Sequence, residues 1–279
     1  YPGYVPNNVL GVWDEDGNEY IDLAMGYGVN FLGNGPEFVR KAVENQLKKG
    51  FQLGPQFDLT GQVAEHIRDL TGVERVTFTN TGGEAVMTAV RVARAKTGRN
   101  KIVLFAGSYH GTFDGVLAQA DQESGNQNPA LPLSPGTPPG MTEDVLVLNY
   151  GSDESLEIIR SRGHELAAVL VEPVQSRRPG FHPRTYLQKL RAITRETQAA
   201  LIFDEVITGF RIHPGGAQAY FDVRADIVIY GKILGGGLPI GVVGGTREFM
   251  DKIDGGLWKY GDPSHPRNDI VVFAGTFCK

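Results

Sequence analysis

Short apolar runs, each closed by a polar or glycine-containing turn, recur along this chain: Glu74–Asn80, Lys101–Phe105, Val145–Leu148, Ala167–Val171, Ala199–Phe203 and Asp226–Tyr230. They are too short for buried helices and nearly continuous in apolar residues. That is the pattern of strands covered on both faces, as in a parallel sheet. Helical spacing separates them. Pro36 to Lys49 places Phe38, Val39, Ala42, Val43 and Leu47 on one stripe, and Gly50 ends it. Leu59 to Leu70 turns Val63, Ala64, Ile67 and Leu70 to one side, and Glu84 to Lys96 reads as a third helix. Near the start, Val9–Leu23 alternates around Asp16-Gly17, a hairpin signal, and Gly26-Tyr27-Gly28 is a loop carrying an aromatic. Asp121–Thr142, rich in Pro, Gly, Asn and Gln, predicts a long irregular excursion. Five or six strands, most followed by a helix, predict an α/β fold: a mostly parallel sheet with helices on both faces.

Composition narrows the class. The 279 residues are 41% apolar and 21% charged, ordinary values for a globular protein. The net charge of −5 gives no reason to expect a nucleic-acid partner. Cys278, the single cysteine, excludes an internal disulfide and fits a reducing, cytoplasmic setting. No apolar run of about 18 residues predicts a membrane span, and no metal site is expected. A start at Tyr1 and a stop at Lys279, just after a turn-like Ala-Gly-Thr, suggest a fragment of something longer.

The ends of the predicted strands carry the chemistry. The run to Phe203 stops at Asp204-Glu205, and the run to Tyr230 stops at Gly231-Lys232. Both lie at carboxyl ends, the edge of an open α/β sheet where ligands sit. An acid and a lysine at one sheet edge are what pyridoxal phosphate (PLP) requires, the acid for the ring nitrogen and the lysine for the aldehyde. Taken alone, each has a plainer reading, as a helix cap or a solvated charge. After the strand ending near Asn80, Thr81-Gly82-Gly83 opens a helix, which makes an anion site from free N–H groups and the helix dipole. It lacks the Gly-Lys-Ser/Thr ending of a Walker A loop. Tyr109-His110, next to Gly111, could stack on a flat ring. Glu172 and Gln175 follow another strand. That all of these fall just after strands favours one shared site over decoration.

The boxes Asn80-Thr-Gly-Gly-Glu-Ala, Ser108-Tyr-His-Gly, Val171-Glu-Pro-Val, Phe203-Asp-Glu-Val-Ile-Thr-Gly-Phe-Arg and Gly231-Lys-Ile-Leu-Gly-Gly-Gly-Leu-Pro-Ile-Gly resemble class III aminotransferases in order and spacing. That PLP fold-type I group includes glutamate-1-semialdehyde aminomutase. The resemblance implies a large PLP-binding domain over 36–279, an N-terminal segment over 1–35 belonging to the small domain and substrate loop, and a C-terminal small domain that is missing. It implies Lys232 as Schiff-base lysine and proton shuttle, and Asp204 on the pyridine nitrogen. Val206 would lie under the ring and Tyr109 on its other face, with His110, Glu172 and Gln175 around the cofactor. Asn80, Thr81, Gly82 and Gly83 would hold the phosphate. Tyr27 and Arg177 would face substrate. Thr276 would reach the partner subunit's cofactor phosphate, which implies a homodimer with shared sites.

Two departures stand out. The family's Ser-Gly-Thr phosphate turn is Thr-Gly-Gly here, and Ser176-Arg177-Arg178-Pro179 replaces a Gly-containing stretch; paired arginines suit an anionic or thioester-linked substrate. That segment, with Gly28–Gly33 and Gly275–Lys279, is most similar to aminotransferase domains of hybrid polyketide/nonribosomal-peptide synthetases. The expectation is therefore amino transfer from an amino-acid donor to a keto acceptor, a β-ketoacyl chain on a carrier protein. A free-standing enzyme such as the semialdehyde aminomutase is the alternative, and a non-catalytic structural module is the reading of another kind.

Overall fold

The computed structural model describes residues 11–50, 58–121, 130–253, 270, 271 and 273. The hairpin forms as expected, β1 (Gly11–Trp13) against β2 (Glu19–Ile21). Asp14 shapes its turn, accepting from the backbone N–H of Asp16 and Asn18 while its carbonyl accepts from Gly17. A distorted turn, α1 (Met25–Gly28), leads to α2 (Glu37–Lys49) and α3 (Asp58–Thr71). Then come β3 (Arg75–Thr79), α4 (Gly82–Thr97) and β4 (Lys101–Phe105). β5 (Ala118–Gln119) precedes the irregular excursion and pairs with β6 (Leu131–Pro132) inside it. The remaining order is β7 (Val145–Leu148), α5 (Asp153–Ser161), β8 (Leu166–Val171), α6 (Arg184–Thr197), β9 (Ala200–Asp204), α7 (Gly216–Phe221), β10 (Ile227–Gly231), β11 (Gly241–Gly245) and α8 (Arg247–Met250).

The main sheet has seven strands in the order β3-β11-β10-β9-β8-β4-β7. All pairings from β10 to β7 are parallel. β11 runs antiparallel to both β10 and β3. Two reversals cancel, so β3 points the same way as the parallel strands and its carboxyl end joins theirs. β11 was not among the expected strands: Gly-Val-Val-Gly-Gly is poor in strand formers, and burial between two neighbours outweighs that weak propensity.

The pleat divides the core in two. Val103, Phe105, Leu201, Phe203, Val228 and Tyr230 face α3, α5, α6 and α7. Ile102, Leu104, Ala200, Ile202, Ile227 and Ile229 face α4 and α8. Both faces are covered, as the apolar runs require. The outlying helices depart from expectation. α2 buries none of its stripe, with Phe38 62% and Leu47 50% exposed. In α3 only Ile67 of the expected inward set is buried, and Leu70 lies outside. An amphipathic stripe specifies a helix without specifying its partner. No helix among the described residues is long and apolar enough to cross a membrane.

Candidate active site

Register brings the strand ends together. Thr79 pairs with Gly241, Gly241 with Gly231, and Asp204 with Ile229. The residues just beyond β3, β10 and β9 therefore emerge on one edge. A cavity of about 370 Å³ opens there, lined by Asn80, Thr81, Gly82, Gly83, Tyr109, His110, Glu172, Asp204, Val206 and Lys232.

One end of the cavity is the N-terminus of α4. Thr81 is the N-cap, its Oγ1 accepting from Glu84 N at 3.1 Å, while Glu84 reaches back to accept from Asn80 N at 2.8 Å. This near-reciprocal capping fixes the turn and leaves the Gly82 and Gly83 N–H groups at the first helical positions, which have no intrahelical acceptor. Space here depends on missing side chains. A Cβ on Gly111, where φ is +88°, would lie 3.0 Å from Gly83 Cα, and one on Gly82 would lie 3.3 Å from Val206 Cγ2. The loops after β3, β4 and β9 meet through these glycines.

Acids form the other wall. Asp204 is buried; its Oδ2 accepts from His110 Nδ1 at 2.7 Å and its Oδ1 from Val206 N at 3.2 Å. His110 Nε2 is buried without a hydrogen-bond partner. Glu172 accepts from Tyr109 N at 3.1 Å and Ser176 N at 3.3 Å, which ties the loops after β4 and β8 together. Its carboxyl is raised above the usual range, by burial first and less by the Asp204 charge, with His110 and the N–H donors opposing. Lys232 follows β10 with φ +44°, a left-handed backbone that a lysine adopts only at a cost, and such strain clusters at functional sites.

Not every expected residue reaches the cavity. Gln175 stands behind it, its Nε2 donating to Ala106 O and Ser108 Oγ, both at 2.9 Å, so it shapes the Tyr109 loop. Tyr27 is 87% exposed on a left-handed turn; the next residue but one, Val29, lines the cavity in its place. Arg177 is exposed in the turn closed by Arg178 N donating to Gln175 O, and does not line it. Thr276 lies outside the described residues. Conversely, Thr112, Ile207, Leu238 and Ile240 line the cavity without having been expected there. The glycine run Gly235–Gly237 was the available signal for the last two, because such a turn returns the chain past Lys232.

A second cavity of about 370 Å³ lies at the amino ends of β9 and β10. Three of its four cations are engaged in holding the fold. Arg191 clamps Asp226 with bonds of 2.6 and 2.8 Å, Lys96 pairs with Glu248 at 2.9 Å, and Arg99 Nη1 donates to the carbonyls of Gly163, Leu166 and Thr197.

The chain is similar to known proteins in sequence and in fold. Glutamate-1-semialdehyde 2,1-aminomutase of Acetivibrio thermocellus is 42% identical over 270 residues, 95% of this chain and 62% of that protein. An omega-transaminase from Sphaerobacter thermophilus superposes with a TM-score of 0.84 at 36% identity, over 88% of this chain and 58% of that one. A transaminase solved with PLP bound gives a TM-score of 0.85 at 32% identity, over 99% and 63%. The chain thus spans about three fifths of the length of these relatives, and its α/β sheet is that of the fold-type I large domain. The profile of the family described as Aminotransferase class-III matches residues 7–265, and on that match and these identities the chain belongs to the class III aminotransferases.

Proposed function

We propose that the protein is a PLP-dependent enzyme that moves amino groups on small, free substrates, in the manner of the aminomutase relatives. The observation that carries this is the grouping of Lys232, Asp204 and the Gly82-Gly83 helix start around one cavity. The donor set fits PLP. N–H groups at a helix start suit a phosphate, a buried carboxylate at the far wall suits a protonated ring nitrogen, and Val206 and Tyr109 offer an apolar and an aromatic face for the ring.

When bound, PLP supplies an aldehyde that links to amines and a ring that draws electrons from the linked carbon. The remaining work belongs to the chain. Gly82 and Gly83 would hold the phosphate through their N–H groups, and Asp204 would hold the ring nitrogen protonated. His110 donates to Asp204 Oδ2, keeping that carboxylate in place as an acceptor. Lys232 would anchor the aldehyde; once displaced by the substrate amine, its free amine would carry a proton from the substrate carbon to the carbon on the other side of the linking nitrogen. Tyr109, at the mouth, limits water. Homodimers with shared sites, through Thr276, belong to the same reading.

The carrier-linked reading has less support. Arg177 is exposed outside the cavity. Relatives at 42–43% identity are named glutamate-1-semialdehyde 2,1-aminomutases. The test uses the complete protein. Borohydride reduction after PLP addition, then peptide mapping, is expected to leave the cofactor on Lys232; an adduct on another lysine removes this reading. Incubation with glutamate-1-semialdehyde alone is expected to yield an isomer of equal mass, whereas a transaminase would need a separate keto acceptor.

A further inference from the structure

The segment Met25–Phe31 has no role in the chemistry so far, yet its Val29 lines the cavity together with Lys232. Its backbone is strained: φ is +47° at Met25, +58° at Gly26, +55° at Tyr27 and +92° at Gly28. Left-handed backbone is unfavourable at the two non-glycine residues, so other bonds must hold it. Some are internal. Asp22 Oδ1 accepts from Ala24 N and Met25 N, Asp22 Oδ2 from Asn34 Nδ2, and Asn34 Oδ1 from Asn30 Nδ2. These tie the loop to itself.

Arg211 ties it to the sheet. It stands on the loop after β9, seven residues beyond Asp204. Its Nη2 donates to Gly28 O at 2.7 Å, and its Cζ lies 4.8 Å from the centre of the Phe31 ring. Its Nε is buried without a partner, so the guanidinium stays in place through the carbonyl and the ring. A Cβ on Gly28 would lie 2.9 Å from Arg211 Nη2 and 4.0 Å from Lys232 Cδ. The guanidinium and the carbon stem of Lys232 thus both approach Gly28 on the side where a side chain would stand, and the φ of +92° favours glycine there.

We propose that Arg211 is a positioning residue: it straps the Gly28 segment across the stem of Lys232, closing one side of the lysine and setting how substrate approaches it. This rests on the reading of Lys232 as the working lysine. The guanidinium suits the task because it bonds a carbonyl in its plane while its face packs on a ring, which an ammonium cannot do.

The test is made on the complete protein without cofactor, where the strap is read apart from the chemistry. Trinitrobenzenesulfonate labels amines, and peptide mapping compares Lys232 with the exposed Lys189 on α6. Arg211→Ala is expected to speed Lys232 labelling about tenfold or more, from loss of a charge-assisted bond, and to open residues 25–31 to protease, with Lys189 unchanged. Arg211→Lys is expected to fall between Arg211→Ala and the parent protein. Phe31→Leu, at a surface position, is expected to give a two- to threefold rise, consistent with losing about 0.5 kcal/mol of cation–π attraction. With PLP, Arg211→Ala should lower kcat more than it raises KM. An unchanged Lys232 labelling rate in both Arg211→Ala and Phe31→Leu overturns the proposal. If Arg211→Ala does not fold, Phe31→Leu decides by the same measure. A borohydride adduct on another lysine would remove the proposed function, while the labelling experiment would still report on the strap.

Discussion

His110 Nδ1 donates to Asp204 Oδ2 across 2.7 Å, joining the loop after β4 to the end of β9 inside the core. Both side chains are almost fully buried. The bond takes one lone pair of Asp204 and fixes the plane in which the rest are presented to the cavity. A hydrogen bond to a charged group contributes about 1.5–3 kcal/mol. We expect His110→Ala to lower kcat roughly 10- to 100-fold, with a smaller change in KM. His110→Asn, which can still donate, should recover part of the loss. Steady-state kinetics of the complete enzyme checks both, and unchanged kcat in His110→Ala would leave the histidine a packing residue.

Lys232→Ala is expected to lower turnover by at least about 10²–10⁴-fold, the share carried by a positioned proton shuttle. It should leave PLP bound through the phosphate cradle and Asp204. Equilibrium dialysis separates the two effects. Loss of binding together with activity would mean that the lysine link, not the cradle, holds the cofactor.

Gly111→Ala should damage the cradle by two routes. Its φ of +88° disfavours any side chain, at a cost of about 1–2 kcal/mol in stability. The new methyl would also meet Gly83 Cα at 3.0 Å and push the helix start out of line. The measurable result is weaker PLP affinity with a small fall in melting temperature. Gly136→Ala, with a similar φ of +93° and open space around it, should show the stability loss alone.

Glu205 is buried and accepts from Thr208 Oγ1 at 3.1 Å, from Gln218 N at 3.2 Å and from Ala217 N. Burial raises its carboxyl from the ordinary 4.5 to about 7, against the pull of those donors. A raised folded pKa means that the folded state holds the proton more tightly than the unfolded chain. Its contribution is complete below about pH 4.5 and disappears as pH climbs through 7. Glu205→Gln abolishes this titration. Between pH 4.5 and 8 the parent protein should lose about 3 kcal/mol relative to that variant. Denaturant titrations at several pH values measure the difference, and parallel curves for the two proteins would contradict it.

Much of the site is legible in the amino-acid sequence. Asp204, Lys232, Tyr109, His110, Glu172 and the Thr81–Gly83 turn all stand just after apolar runs, and in a parallel sheet that placement alone brings them to one edge. Other positions have no such address. Tyr27 and Arg177 rest on motif likeness in loops, where one turn decides which neighbour faces the cavity. Glu205 reads as a second copy of Asp204, yet its side chain belongs to α7 and not to the cavity.

By itself the sequence determined the kinds of elements and most of their limits: β4 and β7 fall where the apolar runs place them, and α4 starts at the Thr-Gly-Gly turn. Those signals are local, carried by side-chain periodicity and by capping within a few residues. Tertiary structure decided the insertion of β11 between β3 and β10, which carries the anion turn to the lysine edge. It also left the α2 stripe exposed and brought Arg211 onto Gly28, 183 residues away along the chain. A strand order or a long-range bond is chosen by the packing of the whole, because loop closure is repaid only by contacts that no local pattern contains.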